Sequence, residues 1–410
     1  MESKPIDDSQ LSEIFKSEYS NLIAVLSTFY GLRDLQLAED IVSETFVRAM
    51  KKWKHSGVPE YPKAWLRKVA QNLLKEHKRR KNIFDEKITP ELQAQPELET
   101  IEITDKIIED SQLNMIFILC DPELNKESQL CLALRILCGF SIDEISKALL
   151  SNKETINKKL YRAKKSIKER NKIDFQLSTE EYISRLNNVL RVIYLMFNEG
   201  YYSSIQEENI RHEICWEAMR LCIFLSNQRI FPKQSINALI ALMCFHASRF
   251  DARASGEKGD LLYYEQDREK WNQDLIYKGK QYLKRAASEN KVSKYHLEAA
   301  IAYWHTIDTD EKWEPILQLY NKLLTIEYSP FIAMNRTYAL AKANSVEEAI
   351  HEALKLKLND NHHYYCLLAK LYRLNKSKDK EIQYLELASQ CAIKKNEKEH
   401  ISNKILQARS

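Results

Sequence analysis

Glycine and proline are scarce: the 410-residue sequence holds 7 and 9 of them, together about 4% where average proteins carry roughly 12%. β-rich folds need both residues at their many turns, so strands are disfavoured. The glycines are scattered, at 31, 57, 139, 200, 256, 259 and 279. That excludes the G-x-G-x-x-G fingerprint and the phosphate loop, which need clustered glycines for close backbone approach to phosphate. The 8 cysteines form no C-x-x-C pair, and the 10 histidines show no H-E-x-x-H spacing, so no metal is expected. Most cysteines stand among apolar residues, as in Leu130-Cys131-Leu132 and Leu221-Cys222-Ile223, and read as core thiols of a reducing compartment. No apolar run reaches the roughly 18 residues of a membrane span, and the polar, acidic start is unlike a signal peptide. The expectation is an all-α cytoplasmic protein with no membrane partner, no metal and no cofactor.

Net charge is only +4, but it is segregated. Residues 51–81 carry eleven Lys and Arg against Glu60 and Glu76, and residues 147–172 carry ten against two acids. Between them, residues 85–110 carry nine acids and two lysines. Two basic blocks split by an acidic one predict two separate contacts with a polyanion.

Apolar residues recur at helical spacing through 11–30. The segment 36–53 is strongly amphipathic, with Ile41, Val42, Thr45, Phe46, Ala49, Met50 and Trp53 in one stripe, Asp40 and Glu44 flanking it, and Glu39 nearby. Gly57, Pro59 and Pro62 punctuate a break at 54–62. The next helix, 63–80, puts Trp65, Leu66, Val69, Ala70, Leu73 and Leu74 inside and Lys68, Asn72, Lys75 and Arg79 outside. Pro90, Pro96 and acids mark a linker over 82–110. An apolar helix at 127–138 ends at Gly139, an expected C-cap. Capping boxes at Ser141–Glu144 and Ser151–Glu154 predict two helices, 142–149 and 153–169, joined by a short polar turn. That is helix-turn-helix spacing. Ile156, Leu160, Ala163 and Ile167 face inward on the second helix, and cationic and amide side chains cover the rest, which points to DNA binding. From 312 to 394, alternating small and aromatic residues such as Ala333, Tyr338, Ala349 and Tyr372 read as stacked helical hairpins of roughly thirty residues, like tetratricopeptide repeats.

With these elements in place the chain resembles the extracytoplasmic-function sigma factors of bacterial RNA polymerase, in particular a subgroup with a long helical C-terminal extension. LAEDIVSETFVRAMKKW (37–53) resembles the family's first conserved helix, and GVPEYPKAWLRKVAQNLLKEHKRRK (57–81) the loop and helix of region 2. Residues 120–168 resemble region 4, and YLMFNEGY (194–201), LLYYEQDREKW (261–271), YHLEAAIAYWH (295–305) and PFIAMNRTYALA (330–341) resemble blocks of the extension. The resemblance implies region 2 at 1–82, an acidic linker at 83–110, region 4 at 111–172, a helical extension at 173–311, and tetratricopeptide-like hairpins at 312–410. It implies a subunit that is not an enzyme, with the β and β′ subunits of polymerase core and promoter DNA as partners. An unknown protein or small-molecule signal would act on the extension.

The resemblance also implies residue roles. Asp40 and Glu44 match the acidic side of the helix that docks on the polymerase clamp. The 54–62 loop matches the segment that captures an unstacked −10 base. Lys68, Lys75, Lys78, Arg79 and Arg80 supply backbone contacts near the −10 element, and Asn72 is placed to reach a base or phosphate. Trp65, on the apolar stripe, reads as core. At the −35 element Thr155, Asn157, Lys158 and Lys159 would meet base edges, with Arg162 and Lys165 on phosphates. By analogy the acidic linker would lie in the RNA-exit channel.

The sequence departs from the family with Glu76 for its common Asp, Asp121 for its common His, and KANSVEE (342–348) where the subgroup usually has an acidic-glycine turn. Two other readings stand beside this one. A non-sigma helix-turn-helix regulator whose repeats bind protein or peptide leaves the 37–81 pattern unexplained. An enzyme in the extension would use Glu199, His246, Glu265, Asp267, Arg268, His296 and His305, which otherwise read as polar networks joining helices.

Overall fold

The structure, a computed structural model, describes residues 8–30, 34–88, 104–149, 151–169, 177–202, 208–254, 266–288, 292–392 and 395–409. Among these there are nineteen α-helices and no strand, as the composition predicts. The chain divides into two compact units, residues 1–231 and 232–410. That division falls inside the 173–311 segment, whose first two helices pack with the N-terminal elements.

The first unit begins with α1 (Asp8–Ala24), continued by a π-helical turn, Val25–Phe29. Asp34 caps α2 (Leu35–Ser56) by accepting from the backbone N–H of Gln36 and Leu37, satisfying two of the orphan donors of the first turn. The expected stripe of α2 is buried at Ile41, Val42, Thr45, Phe46, Ala49 and Trp53, but Met50 is exposed. The next helix, α3 (Pro62–Ile88), packs on α2. Leu66, Ala70 and Leu74 of α3 are buried, whereas Trp65, Val69 and Leu73 are only partly covered.

α3 runs on to Ile88, and α4 (Asp105–Leu119) starts at a Thr104 cap. Both ends of the expected 83–110 linker are therefore helical; its middle, 89–103, lies outside the described residues. α5 (Lys126–Leu132) continues into a second π-helical turn, Ala133–Leu137. Gly139 follows with φ +71, a left-handed conformation that strains any other residue. α6 (Ile142–Ala148) carries the predicted Ser141–Glu144 capping box. α7 (Lys153–Glu169) is capped one residue later than expected. The side chain of Asn152 accepts from the N–H of Thr155 at 2.7 Å, and Glu154 pairs instead with Lys158. Asn caps as well as Ser, and here its carboxamide already stands at the N-terminus. Ile156, Leu160, Ala163 and Ile167 are all buried.

α8 (Thr179–Tyr202) and α9 (Glu208–Asn227) pack on each other, α8 also on α4 and α5, and α9 on α6. Polar side chains tie this pair down. Tyr182 donates to Asn114, Asn188 to the Cys120 carbonyl, Arg191 to Gln129 at 3.2 Å, and Arg220 to the Leu137 carbonyl at 3.3 Å. Asp121 lies 3.6 Å from Arg185 of α8 and gives that cation a carboxylate partner.

The second unit runs α10 (Gln234–Ala247), α11 (Phe250–Ala254), α12 (Gln273–Ala286), α13 (Lys294–Thr306), α14 (Trp313–Ile326), α15 (Pro330–Ala343), α16 (Val346–Lys355), α17 (His362–Leu374), α18 (Lys378–Cys391) and α19 (Lys395–Arg409). α10 is buried along nearly its whole length against α12 and α13. Gly279 allows that approach: a Cβ there would stand 2.6 Å from Cε1 of Phe245. From α13 onward each helix packs on the next, and α15 also on α17. One continuous core results, from Leu297 through Ile316, Leu340, Ala349 and Ala353 to Leu368 and Tyr372.

Candidate nucleic-acid and polymerase interface

The exposed side of α3 carries the expected −10 residues. Lys68, Asn72, Arg79 and Arg80 are exposed, and Lys75 and Lys78 are half-buried. Burial lowers the pKa of Lys78. Arg80 is not free, because Glu76 pairs with it one turn back. Lys63 and Arg67 are drawn to the opposite side, where the fully buried Glu18 of α1 lies 3.2 and 3.8 Å away. Trp65 packs against Trp53 at 5.4 Å between ring centroids, and Lys52 stands over its ring at 5.7 Å. Both contacts fit the core reading over a stacking role. Tyr61, which the sequence argument passed over, is 69% exposed in the break before α3.

Asp40 and Glu44 stand exposed on α2. Gln36 donates to Asp40 at 3.1 Å, and Arg48 pairs with Glu44 at 2.9 Å. Asp40, Glu44 and Arg48, with Leu73, Glu76, His77 and Arg80, line a groove of about 320 Å³ between α2 and α3. The acids expected to face polymerase and the last of the −10 cations thus share one groove.

On α7, Asn157, Lys158, Arg162 and Lys165 are exposed and Thr155 is half-buried. Lys158 pairs within the helix with Glu154 at 2.6 Å, and Lys165 with Glu169 at 3.6 Å. Lys159 turns toward α5, where it meets Glu127 at 2.7 Å, and that contact lowers the Glu127 pKa.

A cluster around Glu39 was missed. Its carboxylate is 4% exposed. Oε1 accepts from the Tyr19 hydroxyl at 2.8 Å and from Nε of Arg135 at 2.7 Å. Oε2 takes Nζ of Lys164 on α7, which also donates to Gln36 at 3.0 Å. Arg135 lies in the second π-helical turn and stacks over the Tyr19 ring. Burial, and next the Glu39 charge, push the Tyr19 pKa up. Beside this cluster Lys168 reaches Asp34 at 2.5 Å. The Asp34 pKa is lowered: burial works against this, but Lys168 and the capping N–H groups outweigh it. The Lys168 pKa is raised by the same contact. A signal was present in the sequence, since Glu39 falls seven residues before Phe46 on the buried stripe, and a carboxylate there demands cationic partners.

The seven extension residues fall at several places in the sequence of helices. Glu265 lies outside the described residues. Glu199 is on α8 in the first unit, with its pKa raised by burial. In the second unit Asp267 caps a short 3₁₀ turn. His296 bridges Ser293 and the Ala286 carbonyl, a structural join between α12 and α13. Among the described ones, His246, Arg268 and His305 come together, with Arg268 of the turn before α12 reaching the α13 terminus. Arg249 donates to His246 at 2.9 Å, and Arg268 donates to the His305 carbonyl at 3.3 Å. Burial, with Arg249, Lys312 and Arg268, lowers the His305 pKa to about 3. Burial, with Arg249, Arg253 and His305, holds His246 well below its ordinary value. Among the described residues no three His, Cys, Asp or Glu side chains group as metal ligands, and no helix is long and apolar enough to cross a membrane.

Comparison with known proteins supports a sigma-factor role. Residues 14–83 match the family described as Sigma-70 region 2, and residues 185–287 match a family of unknown function, DUF6596. The chain is 30% identical over 143 residues to the ECF RNA polymerase sigma factor BldN of Streptomyces coelicolor, covering 34% of this chain and 52% of that protein. It is 31% identical over 346 residues to the uncharacterized protein R00370 of Rhizobium meliloti, covering 82% of this chain and 81% of that one. No solved structure matches. With that identity over that length, and α1 to α3 matching region 2, the chain belongs to the same family as the Rhizobium protein.

Proposed function

We propose that the protein is a dissociable, non-catalytic sigma subunit that directs bacterial RNA polymerase core to promoters, with its helical extension regulating it in cis. The observation that carries this reading is that a region 2 match with an exposed cationic helix shares one compact unit with a second, separately capped helix pair bearing its own cationic face. On this reading Asp40 and Glu44 meet basic residues of the β′ clamp. Tyr61 offers an aromatic face to an unstacked −10 base, while Lys68, Asn72, Lys75, Lys78 and Arg79 track the strand. A flipped base loses a few kcal/mol of stacking and pairing, which such contacts offset. Arg80 joins them once Glu76 releases it. α6 and α7 act as region 4: Asn157 and Lys158 face base edges of the −35 element, with Thr155 beside them and Arg162 and Lys165 on phosphates. Lys159 reads DNA only after leaving Glu127.

Regulation in cis is supported by α8 and α9, whose Tyr182, Arg185, Arg191 and Arg220 tie them to α4, α5 and the following turn. The stacked helices α13–α19, tetratricopeptide-like in their succession, would receive a protein or small-molecule signal.

The test is reconstitution with core polymerase and mapping of transcription starts. Discrete starts that depend on the protein are expected. Stable promoter-duplex binding without polymerase, and no start sites, would favour the helix-turn-helix regulator instead. Regulation is tested with the full chain, a chain ended at Phe231, and an Arg185→Ala, Arg191→Ala pair. Equal polymerase affinity and promoter output from all three would overturn it.

A further inference from the structure

In the second unit, cations from several turns gather at the ends of two packed helices. His246 is the last residue but one of α10 and His305 the last but one of α13, and these helices pack on each other. Arg249 follows α10, Arg253 lies on α11, Arg268 in the 3₁₀ turn before α12 and Lys312 in the 3₁₀ turn before α14. Arg249 donates to His246, Arg268 to the His305 carbonyl, and Lys312 to the Ile307 carbonyl at 3.4 Å. Burial, and next Arg249, lowers the pKa of both imidazoles, so one guanidinium stands close to both.

Part of this charge has a structural use. Cations at a helix C-terminus meet the carbonyls of its last turn, but such an end carries only about half a negative charge. Here full charges crowd one another. Burial, and next Arg268, lowers the Lys312 pKa; Lys342 of α15 adds to this, while Asp308 and Asp310 oppose it. Lys312 is itself buried, whereas Asp308, which meets Arg268 at 2.8 Å, is 85% exposed. The patch continues onto Trp313, whose ring has Lys312 and Lys342 over it at 5.6 and 5.8 Å and His305 at its edge. Gathering like charges away from water costs free energy, and a multivalent anion among them offsets that cost.

We propose that this junction is a binding site for a small phosphorylated ligand, its phosphate held by Arg249, Arg268 and Lys312, with Lys342 at the rim. A guanidinium offers five N–H donors in a planar fork that matches paired oxygens, and an ammonium adds a point charge. A carboxylate brings two oxygens and one charge to three cations. A phosphate monoester brings three terminal oxygens and nearly two charges. As the place where a small-molecule signal reaches the extension, the site rests on the sigma reading; the binding itself does not.

The test uses the full chain at constant ionic strength, with inorganic phosphate and pyrophosphate as probes, acetate as the comparison and calorimetry as the readout. Saturable phosphate binding is expected, at least about tenfold tighter than acetate. Arg268→Gln and Lys312→Gln should each weaken it at least about tenfold. Lys342→Gln, at an exposed position, should weaken it about two- to threefold. Lys378→Gln, in a separate groove with Arg373 and Lys376, should leave it unchanged. Thermal melts check that each variant is folded. If Arg268→Gln and Lys312→Gln unfold, Lys342→Gln against Lys378→Gln decides. No saturable binding by the wild-type chain, acetate bound as tightly as phosphate, or equal affinity in Lys342→Gln and Lys378→Gln overturns the site. A chain that binds phosphate but starts no transcription with core polymerase overturns the sigma reading and leaves the site standing.

Discussion

Each compact unit has its own apolar core, and the two differ in how charge is used inside them. In the first, helices far apart in sequence are joined by buried or half-buried charges: Glu18 to Lys63 and Arg67, Glu39 to Arg135 and Lys164, Asp121 to Arg185. In the second, each helix from α13 on rests on its sequence neighbour through Leu, Ile, Ala and Tyr side chains, with Tyr372 stacked on Tyr384 at 5.3 Å. An ion pair is directional and fixes which two side chains meet, whereas an apolar contact is non-directional and scales with the area covered.

The comparison can be broken most severely at Glu39. Glu39→Ala leaves the charges of Arg135 and Lys164 without their carboxylate, and removing one member of such a buried set costs about 3–5 kcal/mol. In denaturant the first unit should unfold correspondingly early while the transition of the second stays put; a common shift of both would contradict the division.

Acid should act the other way round, on the second unit. His305 and His246 have pKa values depressed in the fold by burial and nearby cations. A depressed folded pKa gives stability that is complete above the unfolded value near 6.5 and is lost as pH falls toward the folded one. With His305 at about 3, going from pH 7 to 5 should remove about 2 kcal/mol from the second unit through this residue alone. By the same rule the lowered Asp34 pKa keeps its tie to Lys168 until the pH falls below the ordinary aspartate value. Melts at pH 7 and pH 5 with His305→Gln, which should reduce the dependence and leave the part due to His246, check this.

Gly279→Ala is next. Its methyl would lie 2.6 Å from Phe245, and such overpacking costs about 1–3 kcal/mol, measured as a shift confined to the second unit. The smallest effect is expected at Lys168→Gln, whose partner Asp34 is 31% exposed. The shift in the melting midpoint of the first unit should be slight at low salt and vanish at high salt, since exposed pairs are screened.

Much of the local structure was legible in the sequence. The inward residues of α7, the cap at Ser141 and the left-handed Gly139 follow from helical period and backbone sterics. The α7 cap moved to Asn152 because two good capping residues stand side by side, and only the turn decides between them. Met50 was misread because helical period puts a residue on an apolar face without saying where burial stops.

The cationic faces of α3 and α7, the absence of glycine-built phosphate loops and the helical class were set by composition and spacing, which act over a few residues. Glu76 beside Arg80 is a local, one-turn pair, but which other cations remain available was decided by tertiary contact: Glu127 holds Lys159, and Glu39 holds Lys164. A sequence fixes the charge of each side chain. Its partner depends on which distant helix is folded against it, because Coulomb attraction is strong only at contact and where water is excluded.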